Sequence, residues 1–446
     1  MLRPVYQFKS FIKSPLLPLA AAIVMTMPCI TVPVLAQQVT AVKDPPTVQP
    51  YLEPAALLTL ESAVRLALDH SPSVAAARHE IEATEGQILQ GSLRPNPDIA
   101  YVADDTRNVS RTSTAQFDLP IETAGKREAR IEAAERGRSV AVSDLGSVQL
   151  RLRAAVTAAF FDVLAAQELT SLARETVKLA QRATDIAAKR VIAGKVSPVE
   201  ETRARVAEAG VRVSLMQAES QLKNARHRLS GLWGNPEPNF TEATGELDRL
   251  QESPAIDVVR QRLAASPLLE RAQRELERRR SLVGLEQRRA VPDVSVSLGM
   301  KRQENLSGEQ MLVGVKVPLP LFNRNQGNLL EALRREDKAR EELRAVRVNL
   351  SSEALQALER LNARRDEAEL LRRDLVPGAQ SAYEAATIGF ENGKFSFLEV
   401  LDAQRTFFSA KSQYLSALAA FHRAQTELES LLGQAATEPA TSTSKE

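Results

Sequence analysis

One short stretch decides the fold because it occurs twice: GKVSPVE at residues 194–200 returns as GKFSFLE at residues 393–399, 199 positions later. Further out, Pro97-Asp98 returns as Pro292-Asp293, 195 positions later. Self-similarity of this kind indicates a tandem duplication, and each copy should fold as one unit of structure. The second copy has gained four residues between the Pro-Asp and Gly-Lys markers.

The duplication divides the chain into six segments, with a linker rich in Pro and Gly between the copies. The predicted segments are a signal peptide at 1–36, an extended N-terminal arm at 37–59, repeat 1 at 60–235, an inter-repeat linker at 236–255, repeat 2 at 256–434 and a flexible tail at 435–446. Within the repeats we predict β-hairpins at about 98–121 and 293–318, and helix-to-helix tips at about 191–200 and 390–402.

The first 36 residues have the pattern of an export signal. Arg3, Lys9 and Lys13 precede an apolar run at 16–34, and the small residue Ala36 ends a cleavage-site pattern. A transmembrane anchor is one alternative, but three prolines interrupt the run and no stop-transfer charges follow. A lipoprotein acylated at Cys29 is another, which Pro28 disfavours because a small residue is needed before the cysteine. Cleavage after Ala36 would also remove the chain's single cysteine, so we expect no disulfide in the mature protein.

Composition argues against several classes of function. The formal net charge is +2, and the sequence has no basic stripe of the kind that nucleic-acid binding needs. No GxSxG, Walker-type loop, GxGxxG after a strand or HExxH occurs, so we expect neither an enzyme nor a cofactor. The four histidines are scattered without an i, i+4 partner, which predicts no metal site.

Long helices are predicted from apolar residues spaced by three or four. In copy one these are Leu145, Val148, Leu152, Ala155, Ala159, Val163 and Ala166; in copy two they are Leu343, Val346, Leu350, Ala354, Ala357 and Leu361. Such a narrow, alanine-rich stripe is typical of closely packed coiled-coil helices. Residues 126–190 contain no proline, and as one helix they would span roughly 100 Å. That length suits a tube or rod.

Four strands are predicted from period-two alternation, most clearly at residues 114–119, 293–301 and 310–317. Alternation alone fits a soluble half-buried sheet as well as a membrane strand. However, the chain is exported, it has no apolar run of about 20 residues after position 37, and four strands cannot close a barrel, which takes about eight. If the strands lie in lipid, subunits must share them, and three copies would give twelve.

These features together resemble the TolC-like outer-membrane factors of tripartite efflux pumps. The segment GKFSFLEVLDAQR at 393–405 resembles that family's periplasmic tip motif. The segments LPIETAGKR at 119–127 and PLPLFNRNQG at 318–327 resemble the branch that serves cobalt–zinc–cadmium exporters. The resemblance covers nearly the whole mature chain.

The resemblance implies a mixed α+β, mainly α fold. Three subunits would form a homotrimer, with a twelve-stranded outer-membrane β-barrel in lipid over an α-helical periplasmic tunnel. It also implies a passive exit duct for heavy-metal cations, working with a periplasmic adaptor (membrane fusion protein) and an inner-membrane RND pump. Two alternatives stay open: a duct of the same fold for drugs or secreted polypeptide, and a periplasmic coiled-coil scaffold without a channel.

Residue roles follow from the same resemblance. Glu399 and Asp402 match the acidic pair of the family's pore constriction; the alternative is an ordinary solvated helix face. The residues implied in tip and adaptor contact are Gly194, Lys195, Val196, Ser197, Gly393, Lys394, Phe395 and Ser396. Packing at the gate is implied for Phe390, Phe395 and Glu200, where the two Phe replace polar residues of some family members.

Overall fold

The computed structural model describes residues 57–104, 111–303, 308–392 and 394–433. The predicted signal peptide, the tail, most of the N-terminal arm and Gly393 lie outside the described residues.

The same order of elements occurs twice along the chain. The first set is α1 (Leu60–His70), α2 (Pro72–Ser92), β1 (Asp98–Asp104), β2 (Thr112–Ile121), α3 (Lys126–Ile192) and α4 (Pro198–Gly231). The second set is α5 (Ile256–Leu263), α6 (Pro267–Arg289), β3 (Val294–Gln303), β4 (Glu309–Lys316), α7 (Gln326–Leu370), a π-helical turn (Leu371–Leu375), α8 (Val376–Glu391) and α9 (Phe397–Leu432). The fold is therefore mainly helical, with four strands.

Each copy begins with two helices separated by a break. The break falls at Ser71-Pro72 and at Ser266-Pro267, and in both cases the proline is at the start of the following helix. Proline has no N–H to donate and disfavours helical geometry at the residue before it. Both serines have extended backbone angles, so the chain turns there.

The two hairpins join into one antiparallel sheet with the order β1-β2-β3-β4. The link between the copies is the β2–β3 ladder, in which Phe117 pairs with Leu298. Pro120 lies inside β2, paired with Ser295 one position before the strand's end. A proline is tolerated there because only one ladder hydrogen bond near the end is lost.

The order of the strands sets the order of the helices that connect to them. Because α2 leads into β1, β2 into α3, α6 into β3 and β4 into α7, the neighbours run α2-α3-α6-α7 beside the sheet. Towards the tips, α4 packs on α3 in place of α2, and α9 packs between α3 and α7. The 67 residues of α3 correspond to a length of about 100 Å.

The main core lies midway along α3, where the inter-repeat linker and α1 pack on it. Val156, Phe160 and Val163 are buried there together with Trp233 and Leu418. Ala155, which the predicted stripe included, is exposed, because α3 is contacted from several sides and its buried face passes through Val156 instead. In α7 the predicted positions Leu350, Ala354, Ala357 and Leu361 are all buried.

Among the described residues, no helix combines the length and the apolar character needed to cross a membrane.

Candidate functional site

One face of the sheet is apolar and open to its surroundings. The register places Ile99, Phe117, Leu298 and Val313 in one row across the four strands. Neighbouring rows add Tyr101, Leu119, Met300, Met311 and Val315, and all of these side chains are exposed. Ile99 is 83% exposed and Met311 78% exposed, so no other element of the described chain covers this face. An uncovered apolar patch of this size marks a contact with lipid or with protein.

The opposite face of the same sheet is mainly polar. Successive side chains on a strand point to opposite faces, so Gln116 and Asp118 of β2 lie behind the apolar row. Asp118 accepts a 2.6 Å hydrogen bond from Gln116 Nε2 and a second one from the Ser297 hydroxyl. Lys301, Gln310 and Lys316 fall on this side by register. The sheet thus separates an apolar side from a polar, charged side.

A network of ion pairs holds the sheet to the helices. Lys126 Nζ lies 2.8 Å from Asp293 Oδ1, which joins the start of α3 to the start of β3. Arg130 Nη2 donates to Glu122 Oε2 over 3.0 Å, and this hydrogen bond lowers the pKa of the Glu122 carboxyl below its usual value. The turn between β2 and α3, Ala124-Gly125, has a positive φ at both residues.

The first tip is a short turn between α3 and α4. Gly194 has a φ of 69°, which glycine adopts without steric cost, and the Lys195 N–H donates to the Arg190 carbonyl over 2.9 Å. Ser197 caps α4 by accepting from the Val199 N–H at 3.3 Å. Lys195 and Ser197 are exposed and Val196 is half-buried.

The second tip repeats that backbone with different side chains. The Lys394 N–H donates to the Gly389 carbonyl over 2.8 Å. The Phe395 ring rests on Gly389 so closely that a methyl group there would overlap the ring at Phe395 Cδ2. Lys394 and Ser396 are exposed, and Phe395 is 44% exposed.

The predicted acidic pair lies on the first two turns of α9, with Glu399 on the first and Asp402 on the second, and both residues are exposed. Glu399 closes a capping box: its Oε2 accepts from the Ser396 N–H at 2.6 Å and from the Ser396 hydroxyl at 3.0 Å. Asp402 forms no hydrogen bond or ion pair with any part of the chain that the structure describes. Glu399 therefore has a local role in the helix start, whereas Asp402 is available to interact with solutes.

The three residues predicted to pack at the gate occupy different places. Phe390 is buried, 5% exposed, in a cluster with Ala187, Ala204 and Val400 that joins all four helices of the two tips. Phe395 lies on Gly389 instead, and the half-buried Glu200 is not part of the cluster.

Arg190 is a residue of this site that the sequence did not reveal. Its Nη2 donates to the Phe390 carbonyl over 2.8 Å, and its guanidinium carbon lies 4.2 Å from the centre of the Phe390 ring. The sequence offered one signal only: Arg190 occupies the position in the first copy that Gly389 occupies in the second, 199 positions later.

The histidine closest to the core is not exposed to solutes. His422 stacks on Phe161 with ring centres 3.7 Å apart, and its Nε2 lies 2.8 Å from the Leu247 carbonyl oxygen. Burial lowers the pKa of the His422 imidazole below its usual value. Within the described ranges, no group of three or more His, Cys, Asp or Glu side chains is placed to hold a metal ion.

Comparison with known proteins gives consistent matches. The family described as "Outer membrane efflux protein" matches residues 63–235 and 258–434. The cobalt-zinc-cadmium resistance protein CzcC of Cupriavidus metallidurans is 46% identical over 382 residues, covering 86% of this chain and 91% of CzcC. The nickel and cobalt resistance protein CnrC of the same species is 27% identical over 284 residues, covering 62% of this chain and 67% of CnrC.

Solved structures match in fold. The outer membrane protein VceC of Vibrio cholerae aligns with a TM-score of 0.67 at 19% identity, covering 84% of this chain and 96% of VceC.

Proposed function

The chain belongs to the outer membrane efflux protein family, and from that premise we propose that it is the outer-membrane subunit of a tripartite heavy-metal efflux pump. It acts as a passive exit duct with a periplasmic helical portion, and it is not an enzyme. The observation that carries the proposal is the sheet, whose apolar face is uncovered while its opposite face is polar.

The sheet supports a barrel made by several copies of the chain. In lipid every backbone N–H and C=O must be paired, so open sheet edges are not tolerated. Within the described chain β1 and β4 each have one neighbouring strand, which leaves two edges. Three copies, with β4 of one beside β1 of the next, would close twelve strands into a barrel with apolar residues outside and polar residues inside.

The helices support the same assembly. On α4, the exposed residues Val199, Val206 and Val213 are spaced by seven, the repeat of a coiled-coil contact. The described chain supplies no helix against this stripe, since α4 lies at the edge opposite α7. The free edge formed by α7 and α8 of a neighbouring copy would cover it and continue the tunnel below the barrel.

The cargo is proposed from similarity and from charge. CzcC and CnrC are named for resistance to cobalt, zinc, cadmium and nickel. In a trimer Asp402 and Glu399 would each form a ring of three carboxylates near the tips, and such rings favour cations over anions. Because the carboxylate of Glu399 is engaged in its helix cap, Asp402 should contribute more to the preference for cations.

The partners are a periplasmic adaptor and an inner-membrane RND pump, which supply substrate and energy. The side chains offered to the adaptor are those exposed at the two turns, Lys195 and Ser197 in the first and Lys394 and Ser396 in the second. A soluble scaffold without a channel is disfavoured, because it would leave the apolar face of the sheet in water.

A matched pair of substitutions in β4 tests the lipid-facing side. Val313→Lys places a charge on the apolar face, whereas Leu312→Lys places it at the same depth on the polar face. A lysine facing the bilayer centre costs about 2–4 kcal/mol. We expect Val313→Lys to reduce outer-membrane trimer severalfold in membrane fractions, and Leu312→Lys to leave it near wild type. Equal assembly of both variants would contradict the proposed orientation.

A further inference from the structure

A cavity lies at the end of β2, where the strand turns into α3. It has a volume of about 330 Å³, and its walls are the segment that follows α2, the last residues of β2 and the first turn of α3. Leu119 and Ile121 line it, and alternation along β2 places both on the same face as Phe117. The cavity is therefore continuous with the apolar face of the sheet, at the end that leads into the helices.

Three charged side chains line this cavity without a charged partner in the described chain. Arg94 is exposed and forms no hydrogen bond or ion pair with the residues that the structure describes. Arg127 Nε donates to the Ser92 carbonyl over 2.5 Å, which leaves the two terminal nitrogens of the guanidinium for another acceptor. Glu128 is exposed, and its carboxylate has no hydrogen bond or ion pair within the described ranges. The cavity thus offers two cationic donors and one carboxylate.

The other two charged residues of the lining are already paired. Glu122 accepts two hydrogen bonds from the Arg130 guanidinium. Lys126 Nζ lies 2.8 Å from Asp293 Oδ1, and the Lys126 side chain is only 9% exposed. These two pairs fix the walls of the cavity and leave the remaining three charges to a ligand.

The matching turn of the second copy lacks this arrangement of charges. The segment LPIETAGKRE at 119–128 returns as LPLFNRNQGN at 319–328, 200 positions later. The Arg-Glu pair that ends the first segment is replaced in the second by Gly327-Asn328. The duplicated turn therefore does not require the pair, and the second copy supplies an internal control for its role.

We propose that this cavity binds the headgroup of phosphatidylethanolamine at the periplasmic surface of the outer membrane. The lipid phosphate accepts hydrogen bonds from Arg94 and Arg127, and the lipid ammonium donates to the Glu128 carboxylate. The acyl chains lie along Leu119 and the apolar face beyond it. The site rests on the proposed function, because the cavity reaches a membrane surface only if the sheet lies in lipid.

The mixture of charges selects this class of lipid over two others. An anionic headgroup such as that of phosphatidylglycerol carries no ammonium, so it would leave Glu128 unpaired beside the lipid phosphate. A choline headgroup has no N–H to donate, so it cannot form the charged hydrogen bond to that carboxylate. Phosphatidylethanolamine carries both a phosphate and a donating ammonium.

Native mass spectrometry of the detergent-purified protein tests the site. Phosphatidylethanolamine, phosphatidylglycerol and phosphatidylcholine with identical acyl chains are added in turn, and we expect phosphatidylethanolamine to bind most tightly, with up to three molecules per trimer. Arg94→Gln removes a charged hydrogen bond and should weaken its binding about tenfold. Glu128→Gln should abolish the preference over phosphatidylglycerol. Arg324→Gln, which removes an exposed arginine from the matching turn of the second copy, should bind like the wild type.

Rescue and competition decide between the possible results. Arg94→Lys keeps the charge and should restore part of the binding. Equal binding of the three lipids, or equal binding by Arg94→Gln and Arg324→Gln, would overturn the site while leaving the trimer and its channel intact. Displacement of the lipid by an equal concentration of soluble phosphoethanolamine would show that the cavity recognises a free phosphate ester, and the lipid assignment would be wrong. A protein that stays monomeric and soluble without detergent would contradict the proposed function and the site with it.

Discussion

The long helix is continuous in the first copy of the repeat and interrupted in the second. In the first copy α3 runs from Lys126 to Ile192 without a break, and in the second the same path is divided into α7, a π turn and α8. The first helix lies inside, with neighbours on both sides, whereas α7 lies at an edge. A change of phase should cost more in the inner helix, because it packs on neighbours on both sides, than in the edge helix, where an extra residue can be accommodated.

The tips show the same backbone with different chemistry. The backbone N–H groups of Lys195 and Lys394 donate to the carbonyls of Arg190 and Gly389, which are matching positions, over 2.9 and 2.8 Å. The side chains differ: Arg190 reaches across to the second tip, and Gly389 leaves room for Phe395. The backbone of the turn is thus the same in both copies, whereas the Arg190 side chain of the first copy contacts Phe390 in the tip of the second.

The largest difference between the copies should appear on deleting one residue. Removing the exposed Lys178 from α3 would rotate all that follows by about 100° and carry Ala180 and Ala187 off the buried face. We expect a loss of about 4 kcal/mol or more in the free energy of unfolding.

Removing Arg372 from the π turn, together with Pro377→Ala, should cost about 1 kcal/mol or less, because α7 and α8 would then match α3 in phase. Thermal unfolding followed by circular dichroism compares the two deletions. Equal losses would show that the copies do not differ in their tolerance of phase.

A smaller effect is expected from a methyl group at the second tip. Gly389→Ala would push the Phe395 ring from its place and cost about 1–3 kcal/mol, with faster tryptic cleavage after Lys394. Gly210→Ala in α4 meets no atom within 4 Å and should instead stabilise its helix by about 0.5–1 kcal/mol. If both variants are equally stable and equally resistant to trypsin, the contact between Phe395 and Gly389 does not order the tip.

The smallest effect concerns the turns that follow β2 and β4. Ala124 has a φ of 58°, which costs an alanine roughly 1–2 kcal/mol, so Ala124→Gly should stabilise the protein by about 1 kcal/mol. Asn325, with a φ of 60°, tolerates this geometry and donates to the Glu286 carbonyl over 2.8 Å. Asn325→Gly should therefore be destabilising, and a rise in melting temperature in both variants would contradict the distinction.

Local patterns in the sequence were sufficient for much of the architecture. Alternation predicted all four strands, and the absence of proline predicted the length of α3, because both depend on neighbouring residues. The ladder between β2 and β3 was not predictable, since it joins residues about 180 positions apart. The spacing Ser396-x-x-Glu399 is a capping-box pattern and could have revealed the local role of Glu399 beforehand.

The candidate site was less accessible to sequence reasoning. The residue types at both tips were visible, but the contact between Arg190 and Phe390 depends on how four helices meet. The π turn left only a one-residue change in the spacing of the repeats, which becomes meaningful once the buried positions are known.

Planar-bilayer conductance of the detergent-purified protein, sized first by native mass spectrometry, tests directly whether the chain forms a channel. We expect a trimer with a small conductance that prefers cations, and a weaker preference in Asp402→Asn. A soluble monomer that forms no channel would contradict the proposed function.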